Sequence, residues 1–170
     1  MWDTLLGAVA LMLLVGAMGG RIWANVHLAG RKDRTLVTGG PYRFVRNPLY
    51  LFSLIGFVGA GLAFGSIVLG AISAAVFFAF HWPEIRAEEE RLQVLFGEEY
   101  ERYRRRVPRM IPVPSKVLTP PTTSRELVVD QGRFGESLRD CLAIPMVLVI
   151  AEVLEWAKLE EIVPVLIHLP

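Results

Sequence analysis

Apolar positions in this chain fall into runs too long for the core of a soluble domain. From Thr4 to Gly20 the sequence "TLLGAVALMLLVGAMGG" carries no charge and is followed by Arg21. That is about the length an α-helix needs to cross a hydrocarbon core of ~30 Å. From Asn47 through Pro83 there is no Asp, Glu, Lys or Arg, and His81 is the only titratable side chain apart from tyrosine. The stretch Leu49 to Trp82 exceeds one crossing and suits two short ones, with "FGS" at Phe64 to Ser66 as the break. The pattern predicts transmembrane helices near 4–20, 49–64 and 66–82, the last two forming a hairpin. Gly56, Gly59, Gly61, Gly70, Ala71, Ser73, Ala74 and Ala75 would let its arms approach closely.

Beyond the hairpin the period changes. "PEIRAEEERLQVLFGEEYERYRRRV" repeats apolar positions at Leu92, Leu95 or Phe96, Tyr100 and Tyr103, which predicts a cytoplasmic helix near 84–106 starting at Pro83 and interrupted by Gly97. Pro, Thr and Ser then dominate from Ile111 to Ser124, an extended linker. The expected division is a membrane domain over 1–112, a linker over 113–124 and a helical C-terminal segment over 125–170. That last segment is apolar but broken by Pro145, Glu152, Glu155, Lys158, Glu160, Glu161 and Pro164, so it suits an interfacial helix or a kinked helix packed in the membrane.

Composition agrees with an all-α, polytopic membrane bundle: 53% of the 170 residues are hydrophobic. The formal net charge of +1 conceals strong clustering. Nearly all Lys and Arg lie in Arg21–Arg46 and Arg86–Arg125, none in the hairpin turn, which places both basic segments in the cytoplasm on the same side of the membrane. A signal peptide is disfavoured because only Met1, Trp2 and Asp3 precede the first run. The single cysteine, Cys141, excludes an intramolecular disulfide, and His27, His81 and His168 lack ligand spacing, so no metal site is expected. "RYRRRVPR" fits anionic headgroups better than nucleic acid in a membrane-anchored chain.

Two polar motifs flank the hairpin: "RTLVTGGPYRFVRNPLY" (Arg34–Tyr50) and "EEERLQVLFGEEYERYRRRVPRMIP" (Glu88–Pro112). Together they resemble the isoprenylcysteine carboxyl methyltransferase and phospholipid methyltransferase superfamily, over roughly Thr35 to Pro112. The resemblance implies an integral membrane enzyme that transfers a methyl group from S-adenosylmethionine to a lipophilic or small acceptor, with a cytoplasm-facing cofactor pocket between the two motifs. Carried over by position, the cofactor residues are Thr35, Leu36, Val37, Tyr42, Asn47, Pro48, Leu49, Tyr50 and Glu88. The residue types suit that ligand: tyrosine faces for a sulfonium or adenine, a carboxylate for an ammonium, and a proline-fixed backbone presenting its polar groups. Irregular backbone at membrane depth is tolerated where it lines an enclosed cavity.

The chain departs from the pattern implied by the resemblance at two positions. Asn47 stands where the family usually has His, and cannot titrate. Glu84 stands where the family often has an arginine that serves a substrate carboxylate, and Arg86 is about 200° away around an ideal helix. Glu84 and Arg86 are therefore the candidate substrate residues, and a negative side chain at 84 disfavours a carboxylate acceptor relative to an amine, thiol or hydroxyl. The residues identify no general base; Glu84, Glu89 and water all remain open. The competing class is a non-catalytic bundle that binds a partner; a transporter is disfavoured by the lack of charged residues within the hairpin.

Overall fold

The structure, a computed structural model, describes residues 2–29, 31 and 34–112. Its elements in order are α1 (Trp2–Leu28), a 3-10 turn (Gly40–Arg43), α2 (Pro48–Leu62) and α3 (Ile67–Arg106), with no strand among the described residues. The linker expected at 113–124 and the helical segment expected at 125–170 lie outside the described residues.

Helix α1 is an inside-out helix. Its buried positions are mostly small, Ala10, Ala17 and Ala24 with Leu14, while Leu5, Leu11, Met12 and Val15 are exposed. In water such a surface would be costly; in lipid, small residues let backbones approach while large apolar side chains meet the acyl chains. The stripe faces α2, where a Cβ added to Gly59 would lie 3.0 Å from Leu14 Cγ and 3.3 Å from the Ala10 carbonyl oxygen. Contacts of α2 with α1 and α3 make it the middle helix of the bundle. The protein is thus an all-α membrane helix bundle, with α1 and α3 each long and apolar enough to span.

Where the pattern ended α1 near Gly20, the helix runs on to Leu28. Ile22, Trp23, Ala24, Val26 and Leu28 keep the stripe apolar beyond the charge, and Arg21 turns inward between the helices. The hairpin break falls where "FGS" placed it: Ser66 caps α3 by accepting a hydrogen bond from the Leu69 amide (3.3 Å). The arms are pressed together at Gly61, where an added Cβ would lie 2.5 Å from the Leu69 carbonyl oxygen.

The two helices expected at 66–82 and 84–106 are one, the 40-residue α3, with Pro83 inside it. An interior proline removes one helical hydrogen bond. Continuity is restored by packing: Phe77 and Ile85, two turns apart on one face and on either side of Pro83, are both fully buried and belong to one cluster with Met110, against Tyr50, Leu51 and Leu54. The spanning part of α3 is its uncharged stretch from Ile67 to Trp82; the charged remainder projects beyond it. Gly97 does interrupt this remainder, with φ 49 and ψ −120, a conformation that glycine tolerates best.

After α3 the chain folds back on the start of α2. The Arg46 and Asn47 amides donate to the Pro108 and Arg109 carbonyls (2.8 and 3.1 Å), and Met110 is buried. This return segment closes the bundle at the end where the two polar motifs meet.

Candidate active site

A cavity of about 350 Å³ opens between the three helices and the α1–α2 connection. Its size is within the range of small-molecule sites. All nine residues assigned to a cofactor by position line it: Thr35, Leu36 and Val37 from the connection, Tyr42 from the 3-10 turn, Asn47 to Tyr50 from the start of α2, and Glu88 from α3. Glu84 lines it as well. Arg86 does not; it is exposed on another face of α3, separated from Glu84 by the buried Ile85. Two residues along a helix turn a side chain away from the wall that Glu84 forms, so of the two candidate substrate residues Glu84 alone stands on the cavity.

The motif residues are positioned by a buried polar network. Pro48 begins α2 at the position where its missing N–H costs nothing, and Asn47 occupies the cap position without capping. Its amide Nδ2 instead donates to Glu89 Oε1 at 2.9 Å. Arg109 grips the same carboxylate with two nitrogens, Nη2 to Oε2 at 2.7 Å and Nε to Oε1 at 3.0 Å, and Arg46 Nη1 lies 3.4 Å from Oε1. Burial alone would push the Glu89 carboxyl up; the hydrogen bonds from Arg109 and Asn47 and the charge of Arg46 outweigh it and hold the group below the ordinary carboxylate range. The Arg109 guanidinium also lies over the Trp82 ring, 5.0 Å from its centroid.

Tyr42 is held from the other side. Tyr103 Oη donates to the Tyr42 carbonyl at 2.6 Å, tying the end of α3 to the 3-10 turn. The Tyr42 hydroxyl is itself buried with no hydrogen-bond partner, as is Arg46 Nε. Burial, followed by the charge of Glu88, raises the Tyr42 hydroxyl well above its ordinary range, so it is a neutral hydrogen-bonding group and not a base. Buried polar groups are nearly always satisfied, so these two atoms beside a cavity call for a polar ligand.

Sequence reasoning missed Arg21, Leu28, Arg46, Ser53, His81, Leu92 and Tyr103 as lining residues, and Glu89 as the anchor behind the wall. Arg21 and His81 each stand alone at the end of an apolar run, and nothing in a linear pattern says which way a side chain turns on a lipid-facing helix. A signal existed for Tyr103, which sits four turns after Glu89 on the same face; Glu89 itself was hidden in an "EEE" triplet in which only the fold separates the cavity-facing Glu88, the buried Glu89 and the exposed Glu90. Among the described residues no group of three or more His, Cys, Asp or Glu side chains could hold a metal ion.

An all-helical membrane bundle with a cavity walled by both polar motifs at one end of a hairpin defines the class. The sequence profile of the phospholipid methyltransferase family matches residues 4–99, and the chain belongs to that family. It is 33% identical, over 99% of its length and 79% of the relative's, to the nickel-cobalt-cadmium resistance protein NccN of Alcaligenes xylosoxydans xylosoxydans. It is also similar to a protein-S-isoprenylcysteine O-methyltransferase of Schizosaccharomyces pombe (38% identity over 48% of this chain and 35% of that one). A methanethiol S-methyltransferase 1 of Bradyrhizobium diazoefficiens is 36% identical over 42% of this chain and 24% of its own length. No solved structure matches the chain.

Proposed function

We propose that this protein is an S-adenosylmethionine-dependent membrane methyltransferase whose cofactor lies at the cytoplasmic end of the cavity. The observation that carries the reading is the convergence on one cavity of nine residues from four separate pieces of chain, with the unpartnered Tyr42 hydroxyl beside them. The donor set fits the cofactor. Glu88 would meet its ammonium, the Arg46 guanidinium its carboxylate, Leu36, Val37 and Leu49 its adenine, and Tyr50 the sulfonium. When bound, the cofactor supplies an electrophilic methyl group on a positively charged sulfur.

The protein's own residues do the rest by placement. The Asn47–Glu89–Arg109 network fixes the first turn of α2 against α3, so that Tyr50 and Glu88 keep their separation without relying on the ligand. Alignment of two reactants in a closed site is the main source of acceleration for a direct displacement. The lipid-facing exteriors of α1 and α3 exclude water, and a lipophilic acceptor would arrive from the bilayer. The basic segments on either side of the hairpin support a cytoplasmic position for the cavity.

The acceptor is a carboxylate, amine or thiol; relatives are named as an isoprenylcysteine O-methyltransferase and a methanethiol S-methyltransferase. Glu84 would repel a carboxylate, while Arg21 returns a cation to the cavity from a different helix. Methyl transfer from labelled cofactor to prenylcysteine, an alkylamine and an alkanethiol by purified protein tests the function. Transfer to any of them above the rate of a boiled control is expected, and none with all three would overturn the reading.

A further inference from the structure

The cavity has two ends along the membrane normal. Glu88 and Leu28 mark the cytoplasmic end; Arg21 lies two turns deeper than Leu28 on α1, His81 two turns deeper than Glu88 on α3, and Ser53 a turn deeper than Tyr50 on α2. Resting on the methyltransferase reading above, we propose that this deep end is a thiol site, in which His81 takes the proton of the thiol and Arg21 stabilises the thiolate.

His81 is oriented as a base. Its Nδ1 lies 3.1 Å from the Phe77 carbonyl oxygen, which can only accept, so the neutral ring carries its proton on Nδ1 and leaves a lone pair on Nε2. The ring is stacked on Phe77 (centroids 4.4 Å, 9°) and met edgewise by Tyr50 at 6.1 Å and Phe57 at 5.8 Å, which fixes its direction. Nε2 has no hydrogen-bond partner among the described residues.

Arg21 is oriented as a counter-charge. It donates from Nη1 to Ser53 Oγ, and Ser53 Oγ in turn donates to the Leu49 carbonyl at 2.8 Å, so the serine can only accept from the arginine. Arg21 Nε is buried and unpartnered, and no acid pairs with the guanidinium among the described residues. A half-buried cation at membrane depth without a counter-ion marks a site for an anion.

The two groups together select the acceptor. A carboxylate arrives ionised and needs no base. An ammonium would be repelled by Arg21. An alcohol, about as weakly acidic as water, is too weak an acid for an imidazole to deprotonate to any useful extent. A thiol near 8.5 is within reach, enters neutral from the bilayer and reacts as the anion. Besides Arg21, the charged or titratable groups that line the cavity with His81 are Glu84, Glu88 and Tyr103 from its own helix α3, Tyr42 and Arg46 from the α1–α2 connection and Tyr50 from α2, with the two acids toward the cytoplasmic end, where a sulfonium would be. In the step, the S–H bond breaks with its proton going to Nε2. The thiolate forms a new S–C bond to the methyl carbon, and the C–S bond of the sulfonium breaks with its electron pair returning to that sulfur. The products are a methyl thioether, S-adenosylhomocysteine and a histidinium that releases its proton to water.

The first test needs no turnover: nitrogen NMR of the full chain with labelled histidine, the His81 signal assigned by its loss in H81Q. In the neutral ring, a proton on Nδ1 and an unprotonated Nε2 are expected; the opposite tautomer would overturn the assignment. The second uses 1-octanethiol and 2-mercaptoethanol as lipid-borne and water-borne probes. H81Q is expected to slow methylation of either by 10²- to 10⁴-fold, with the deficit shrinking above the thiol's own pKa, and R21Q to lose more than R21K. Both variants should bind S-adenosylhomocysteine as the wild type does. H81Q within threefold of wild type, or a wild type that methylates prenylcysteine but neither thiol, would overturn the proposal. A wild type that binds no S-adenosylhomocysteine would instead remove the methyltransferase reading, with the tautomer still read separately.

Discussion

Asn47 Nδ2 donates to Glu89 Oε1 across 2.9 Å, in a site where both residues are less than a tenth exposed and 42 positions apart in sequence. An ionised carboxylate only accepts, so the amide nitrogen must face it. The bond joins the two polar motifs at the level of individual atoms.

Removing that donor leaves a buried acceptor short of a partner. Asn47→Ala is expected to destabilise the solubilised protein by about 1–3 kcal/mol. Asn47→Asp sets two carboxylates against each other and should cost more, while Asn47→His keeps an N–H donor and should lose least. Thermal unfolding in one detergent at neutral pH ranks the three.

The Glu89 carboxyl sits below its ordinary value in the fold, so its stabilisation is present above the unfolded value of 4.5 and is lost as pH falls through the folded one. Unfolding temperature should therefore decline in acid below about pH 4.5, in part through this group. Glu89→Gln should lose about 3–5 kcal/mol at pH 7, because it leaves Arg46 and Arg109 without a counter-charge, and should show a shallower acid decline than wild type. Equal acid slopes in the two proteins would contradict this.

The hydroxyl of Tyr103 holds the 3-10 turn through the Tyr42 carbonyl at 2.6 Å. Tyr103→Phe should cost about 0.5–1.5 kcal/mol of stability and loosen the wall on which Tyr42 sits. The expected signature is a cofactor Kd raised about two- to tenfold, with helix content by circular dichroism unchanged.

Gly61 has no room for a side chain, its would-be Cβ falling 2.7 Å from the Gly70 backbone. Gly61→Leu should spread α2 from α3 and abolish the monodisperse elution of the purified protein. Gly7, where nothing lies within 4 Å, should accept alanine with less than about 1 kcal/mol of change.

Much of this architecture was legible because lipid imposes a coarse code: charge-free length gives spans, and "FGS" marks the turn. The code fails at Pro83, where local rules favour a helix start and the burial of Phe77 and Ile85 on both sides overrides them. It fails again at Arg21, where a charge reads as the edge of the membrane but the helix continues for two further turns. The motif residues that line the cavity at Thr35–Val37 and Asn47–Tyr50 could be read from position alone, since they cluster in sequence. The deep end could not, because Arg21, Ser53 and His81 come singly from three helices whose rotation only packing decides.

The central claim is that the cavity binds S-adenosylmethionine, and titration calorimetry on the purified full chain addresses it most directly. Wild type should bind. Glu88→Ala should weaken binding about 10- to 100-fold, as expected for loss of a charged hydrogen bond, and Tyr50→Phe about two- to tenfold. Arg86→Ala, outside the cavity, should bind as wild type does. No binding by the wild type, or equal binding by wild type and Glu88→Ala, would contradict the account.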